Sequence, residues 1–224
     1  MKLLSTKIIS NKFKNLLIKN NYQIDEKTFI KISPSKLNSK IFISKNVIFT
    51  SKNTIKIILK NSQINKKLIN KSIFCVGESS ADMITKNKLN LIKSTQNSNN
   101  LSEYIVRNFN NSEDSFTYFC GKKRMVELEN KLNKNNIKIY IHEVYDTILT
   151  PKKIKDKYDG VIFYSPSAVR SFFKGKNSFK NTYGFCIGNT TAKELKNYTY
   201  NFSIAKSNSE ENMLHIIKKH FKII

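Results

Sequence analysis

The chain repeats itself, and that repeat limits the possible folds before any count of residues is made. VIFTSKNTIK at 47–56 matches VIFYSPSAVR at 161–170, an offset of 114, and FCVGESSADMI at 74–84 matches FCIGNTTAKEL at 185–195, an offset of 111. NNLSEYIVRNF at 99–109 aligns with EENMLHIIKKH at 210–220, again offset by 111, so that Ile105 falls on Ile216 and Val106 on Ile217. Three blocks in one order mark a duplicated supersecondary unit. In each copy a short apolar β-rich run meets a small polar turn, then a helical stretch, then a second apolar run closed by glycine. That grammar is βαβ, and two copies of it predict two parallel α/β sheets.

Residues 47–49 and 161–164 read as buried strands. Thr50-Ser51 and Ser165-Pro166-Ser167 are the turns that follow, Pro166 being suited to a first helical turn. Gly77 and Gly188 close the next strands and are expected to permit tight strand-to-helix turns. Between the repeats, 115–119 reads as a strand and 124–133 as a helix with Met125, Leu128 and Leu132 on one face. Residues 137–149 read as a long strand that alternates Ile137, Ile139 and Ile141 with Lys138, Tyr140 and His142. Only three strands (161–164, 183–187 and 200–204) follow Pro151, too few for a sheet like the first. Residues 1–33 are therefore expected to join 150–224 in one discontinuous α/β domain. Residues 34–149 form a second, inserted domain, and two antiparallel linker segments cross near 32–36 and 146–152.

Composition matters mainly for what it excludes. Lys plus Arg number 40 against 16 Asp plus Glu, a net charge of +24 that invites a nucleic-acid reading. Yet the arginines are only Arg107, Arg124 and Arg170, while Asn and Ile each supply about thirty residues. Lys, Asn and Ile share little but AT-rich codons, so the charge is discounted as a signal of function. The lysines are also scattered over nearly every predicted helix, with no DNA- or RNA-binding motif. No apolar run approaches the roughly 18 residues of a membrane span, and the start lacks a signal-peptide core, so a cytoplasmic protein without a membrane partner is expected. Cys75, Cys120 and Cys186 form no CxxC pair, and His142, His215 and His220 form no cluster, so no metal is expected and the thiols read as buried and reduced. There is no GxGxxG, no P-loop and no nucleophile elbow.

In parallel sheets, ligands sit beyond the carboxyl ends of the strands, where helix N-termini present N–H groups. Four hydroxyl-rich turns fall there: Thr50-Ser51, Glu78-Ser79-Ser80, Ser165-Pro166-Ser167 and Asn189-Thr190-Thr191. They read either as anion-binding donors or as helix caps, Thr191 with Glu194 and Ser207 with Glu210 both fitting a capping box. Tyr145 lies near the end of the long strand at an expected domain crossing. It reads either as an uncharged hydrogen-bonding group or as a packing residue.

The blocks VIFYSPSAVRSFF at 161–173, FCIGNTTAKEL at 185–195 and SNSEENMLHII at 207–217 resemble the uroporphyrinogen-III synthase family. So do VIFTSKNTI at 47–55, FCVGESSADMI at 74–84, YFCGKKR at 118–124 and EVYDTILTP at 143–151, and together they cover about three quarters of the chain. The resemblance implies two flavodoxin/Rossmann-like parallel-sheet α/β domains joined by a two-stranded antiparallel linker, with a cleft between them. It implies conversion of the linear tetrapyrrole hydroxymethylbilane to uroporphyrinogen III, with loss of water, ring closure and inversion of ring D, by a monomer that needs no cofactor. Tyr145 matches the family's important tyrosine and would assist loss of hydroxide as the catalytic group. Thr190 and Thr191 match its paired hydroxyls, and Thr50, Ser51, Ser79, Ser80, Ser165 and Ser167 would bind the substrate's acetate and propionate groups. Lys122, Lys123 and Arg170 would add long-range attraction. Ser51-Lys52-Asn53 departs from the common Ser-Pro, and Asn189 stands where Pro is frequent. The competing expectations are a basic α/β protein that binds nucleic acid and an anion binder of this fold without turnover.

Overall fold

Repeated sequence becomes repeated structure in the computed structural model, which describes residues 1–37, 41–109, 113–207 and 209–221. In chain order, β1 (Lys2–Ser5), α1 (Asn11–Lys19), β2 (Gln23–Glu26) and β3 (Ile30–Pro34) come first. Next are β4 (Asn46–Phe49), α2 (Lys52–Lys60), α3 (Ser62–Lys67), β5 (Ser72–Val76), α4 (Glu78–Lys86), β6 (Leu91–Thr95) and α5 (Ser98–Phe109). β7 (Ser115–Gly121), α6 (Glu127–Lys134) and β8 (Lys138–Leu149) follow. The chain continues through β9 (Gly160–Phe163), α7 (Pro166–Lys174), β10 (Tyr183–Cys186), α8 (Asn189–Leu195), β11 (Phe202–Ile204) and α9 (Glu210–Phe221). It divides into two units, Met1–Lys31 with Ile148–Ile224, and Ile32–Thr147.

The first unit holds an all-parallel sheet in the order β11-β10-β9-β1-β2. The second sheet is ordered β3-β8-β7-β4-β5-β6 and is parallel from β8 to β6. β3 runs against β8: Ser35 N–H donates to the Val144 carbonyl and Thr150 N–H to the Phe29 carbonyl, each at 2.9 Å. With β3 set aside, the two sheets have the same winding, because β6-β5-β4-β7-β8 corresponds in order to β11-β10-β9-β1-β2. Thus β7-α6-β8 in one unit corresponds to β1-α1-β2 in the other. The closing third of the second copy stands at the start of the chain.

Strands covered on both faces favour near-continuous apolar runs; all four residues of β4 and of β9 are buried, Asn46 being the one polar side chain among them. Period-2 alternation then separates two cores in each unit. Val47 and Phe49 pack with Ile55 and Ile58 of α2 and Ile84 of α4, while Ile48 faces Leu101 and Ile105 of α5 and Leu128 and Leu132 of α6. In the other unit Val161 and Phe163 meet Val169 and Phe172 of α7, and Ile162 meets Phe13 of α1 and Met213 of α9. Each such aliphatic or Phe side chain stabilises its core by about 1.5–3 kcal/mol relative to exposure.

Several local expectations change. The helix expected from residue 124 begins at Glu127, and Met125, placed on its buried face, is 59% exposed, because only Leu128 and Leu132 reach the core. Gly77 does adopt φ +86°, but Gly188 at φ −178° is extended backbone that any residue adopts. Neither capping box forms. Gly188 stands at the cap of α8 with Thr191 inside the helix, and Glu194 turns to Arg170; at α9, Ser209 rather than Ser207 accepts the Asn212 N–H at 3.1 Å. β2 and β6 are strands that the sequence reading left out.

Candidate functional site

In this winding the strand order reverses between β4 and β7, and between β9 and β1, and the carboxyl ends at those points are where doubly wound folds bind ligands. In the Ile32–Thr147 unit, Thr50 and Ser51 leave β4 at this position. Ser51 caps α2, its Oγ accepting the Asn53 N–H at 3.2 Å. Thr50 Oγ1 shares a 2.8 Å hydrogen bond with the hydroxyl of Tyr118, which rises from the adjacent β7. Tyr118 is 2% exposed, and its burial pushes the phenol up to about 12. The Thr50–Tyr118 pair is therefore neutral across the ordinary pH range.

Tyr145 reaches the same point from β8 through a break in register. Cys120 pairs with Glu143 but Gly121 pairs with Tyr145, so Val144 is an extra residue. A bulge of this kind re-aims side chains. Here it puts two consecutive residues, Val144 and Tyr145, into the same core. The Tyr145 hydroxyl donates to Ser51 Oγ at 3.2 Å, and its ring lies over Gly121, where a Cβ would come within 2.6 Å of it. Thr50, Ser51 and Tyr145 are thus gathered by neighbouring strands. Ser79 and Ser80 lie in the first turn of α4 after β5, Ser79 exposed and Ser80 buried at 4%.

The other unit repeats the layout with different partners. Ser165 caps α7, accepting the Ala168 N–H at 3.2 Å, and Ser167 Oγ accepts from Arg170 Nη2 at 3.4 Å. Thr190 is exposed in the first turn of α8, whereas Thr191 is buried at 1%. At the β9–β1 reversal, Thr6 donates its N–H and its hydroxyl to the Ile162 carbonyl, at 3.1 and 2.8 Å. The Lys7 ammonium lies 3.9 Å from the centre of the Tyr164 ring. Burial pushes the Tyr164 phenol up. Thr6, Tyr118, Tyr164 and Gly121 were not chosen from the sequence. Only the glycine directly after an apolar strand gave a signal there.

Two of the cations near these turns are engaged within the protein. Lys123 Nζ donates to the Thr147 carbonyl at 2.9 Å, and Arg170 is ion-paired with Glu194. Burial pushes Cys120 and Cys186 up to about 12 and raises Cys75, so all three thiols stay protonated and pack as small apolar groups. Among the described residues no helix is long and apolar enough to cross a membrane.

A family model described as uroporphyrinogen-III synthase HemD matches residues 11–215. A solved uroporphyrinogen-III synthetase from Helicobacter pylori is similar at TM-score 0.73 and 21% identity, covering 98% of this chain and 99% of that one. A mutant uroporphyrinogen III synthase from the extremely thermophilic bacterium Thermus thermophilus gives TM-score 0.65 at 12% identity, with 99% of each chain covered. At these identities the two structures show likeness of fold. No curated protein sequence matches the chain.

Proposed function

The chain belongs to the uroporphyrinogen-III synthase family, and we propose that within its reaction Tyr145 assists departure of hydroxide while the turn hydroxyls bind substrate carboxylates. The family's enzymes are cyclising hydro-lyases of tetrapyrrole biosynthesis: hydroxymethylbilane closes to uroporphyrinogen III with loss of water and inversion of ring D. Pyrrole nitrogens push hydroxide off the hydroxymethyl carbon, leaving an azafulvene. The far ring attacks at its substituted carbon, and the spiro intermediate fragments and recloses.

Much of the electronic drive is therefore in the substrate. The protein has to fold a flexible tetrapyrrole and supply a hydrogen bond where negative charge develops on the leaving oxygen. The observation that carries the reading is the Tyr145 hydroxyl, bonded to Ser51 at 3.2 Å beside Thr50 at the β4–β7 reversal. A neutral phenol can turn from Ser51 to a leaving oxygen without the cost of burying a charge. Ser51, Ser79, Ser165, Ser167 and Thr190, with helix N–H groups behind them, are donors suited to carboxylates, and Thr50, Ser80 and Thr191 complete the same turns, Thr50 bonded to Tyr118 and the other two buried. The protein acts as a cytoplasmic monomer on this one small-molecule substrate.

The test is incubation with freshly generated hydroxymethylbilane, oxidation of the products and separation of uroporphyrin isomers I and III, with Tyr145→Phe in parallel. Uncatalysed closure gives isomer I. Isomer III from the wild type, reduced about a hundredfold in the Phe variant, supports both parts of the reading. Isomer I alone from folded wild-type protein refutes the enzymatic one.

A further inference from the structure

β7 and β8 are held together beyond their ladder by the residues directly after Gly121. The Lys122 N–H donates to the Tyr145 carbonyl at 2.8 Å, and Lys123 Nζ to the Thr147 carbonyl at 2.9 Å. Arg124 Nη1 donates to Glu143 Oε1 at 2.7 Å. Three successive residues of one segment thus fasten alternate residues 143, 145 and 147 of β8, straddling the tyrosine.

Arg124 is the fixed end of this strap. Its Nε and Nη2 grip Glu129 of α6 at 3.0 and 3.2 Å, and both side chains of that pair are largely buried, at 16% and 9% exposure. A guanidinium can grip one carboxylate bidentately and a second from another edge of its plane, a fixed fork geometry that an ammonium lacks. With Nε and both terminal nitrogens each donating once, three of the five guanidinium N–H groups are held by Glu129 and Glu143.

The bulge at Val144 is the reason a strap is required. It breaks the regular ladder at Tyr145, and the ring stands against the bare backbone of Gly121, so the segment that carries Gly121 sets the position of the phenol. We propose that Arg124, by bridging Glu129 on α6 and Glu143 on β8, is a positioning residue that holds the Tyr145 hydroxyl in its reactive place. The inference rests on the reading of Tyr145 given above.

The test measures kcat and KM for isomer III formation in Arg124→Lys and Glu143→Gln, each alone and combined with Tyr145→Phe, together with amide hydrogen exchange at Lys122. Glu143→Gln leaves the buried Arg124–Glu129 pair intact, so it reports on the strap even where Arg124→Lys fails to fold. The expected result is a fall in kcat of about tenfold with KM within about twofold, faster exchange at Lys122, and no further fall in the Phe background. Unchanged kcat or unchanged exchange in Glu143→Gln overturns the strap and leaves the tyrosine reading standing. An equal loss in the Phe background, or a rise in KM alone, overturns it too. Full activity of Tyr145→Phe by itself removes the tyrosine reading and this inference with it.

Discussion

Tyr145 lies against Gly121 so closely that a β-carbon on the glycine would stand 2.6 Å from Tyr145 Cζ and 2.9 Å from its hydroxyl oxygen. The two residues are register partners on β7 and β8, so neither strand can yield without moving the other. Gly121→Ala is expected to displace the phenol rather than unfold the unit. Overpacking of this size costs about 1–3 kcal/mol, read as a lower Tm, and isomer III formation should fall by at least about tenfold. Wild-type turnover in a folded Gly121→Ala protein would remove the tyrosine's position from the mechanism.

Tyr118 holds Thr50 from the neighbouring strand, and with its phenol pushed up to about 12 it does so as a neutral group. Tyr118→Phe removes one partner of a buried hydrogen bond, a loss of about 1 kcal/mol. Urea unfolding measures that loss. Freed from its partner, Thr50 should let KM rise with little change in kcat. Spectrophotometric titration should also lose one late-ionising phenol.

Ser165 permits a separation of its two readings. Ser165→Ala deletes the cap on Ala168 and should cost about 1 kcal/mol. Ser165→Asp keeps a capping oxygen and suits the helix N-terminus, so stability should stay near wild type. The added negative charge repels a polycarboxylate substrate, and KM should rise severalfold. An unchanged KM in the Asp variant would reduce Ser165 to a cap.

Acid stability should report on Glu26. Burial raises its pKa, but the Lys14 ammonium at 2.8 Å and the Ile9 N–H at 2.7 Å outweigh burial and hold the carboxyl below its usual 4.5. A carboxylate depressed by folding contributes stability that is fully present above its unfolded value and is lost as pH falls through the folded one. The Met1–Lys31 with Ile148–Ile224 unit should weaken as pH falls below about 4.5, and Glu26→Gln should flatten that limb of a Tm-against-pH curve while costing stability at neutral pH.

What the sequence shows and hides follows from where each element sits. β4 and β9 are legible because every residue is buried and three consecutive residues in each, Val47–Phe49 and Val161–Phe163, are large and apolar. β2 and β6 escape because, half-covered at sheet edges, Gln23–Glu26 and Leu91–Thr95 carry polar residues in place of an apolar run, and the former accepts the Tyr158 hydroxyl on Asp25 at 2.7 Å. The small polar turns are visible as composition, but which hydroxyls face outward is not. Ser79 and Thr190 are exposed while their neighbours Ser80 and Thr191 are buried, a matter of helical phase set by the caps Gly77 and Gly188. Tyr145 attracts notice as a strand tyrosine. Its approach to Gly121 and the reach of Arg124 to Glu143 arise from a register slip between distant segments, which leaves no local pattern.

The place of β1 at the heart of its sheet carries a consequence for synthesis. Leu4 pairs with Val161 across the whole of the intervening unit, and β9 pairs with β10 only after that. On the ribosome, Ile32–Thr147 is contiguous and is made before β9, the partner strand on the far side of β1 from β2, so it can fold first. Until then β1 is paired on one side only, by β2, and Leu3 and Leu4 lack the rest of the sheet. The closure of β1 against β9 pairs residues more than 150 positions apart, the kind of non-local contact that is intrinsically slow to form and leaves apolar surface open to aggregation meanwhile.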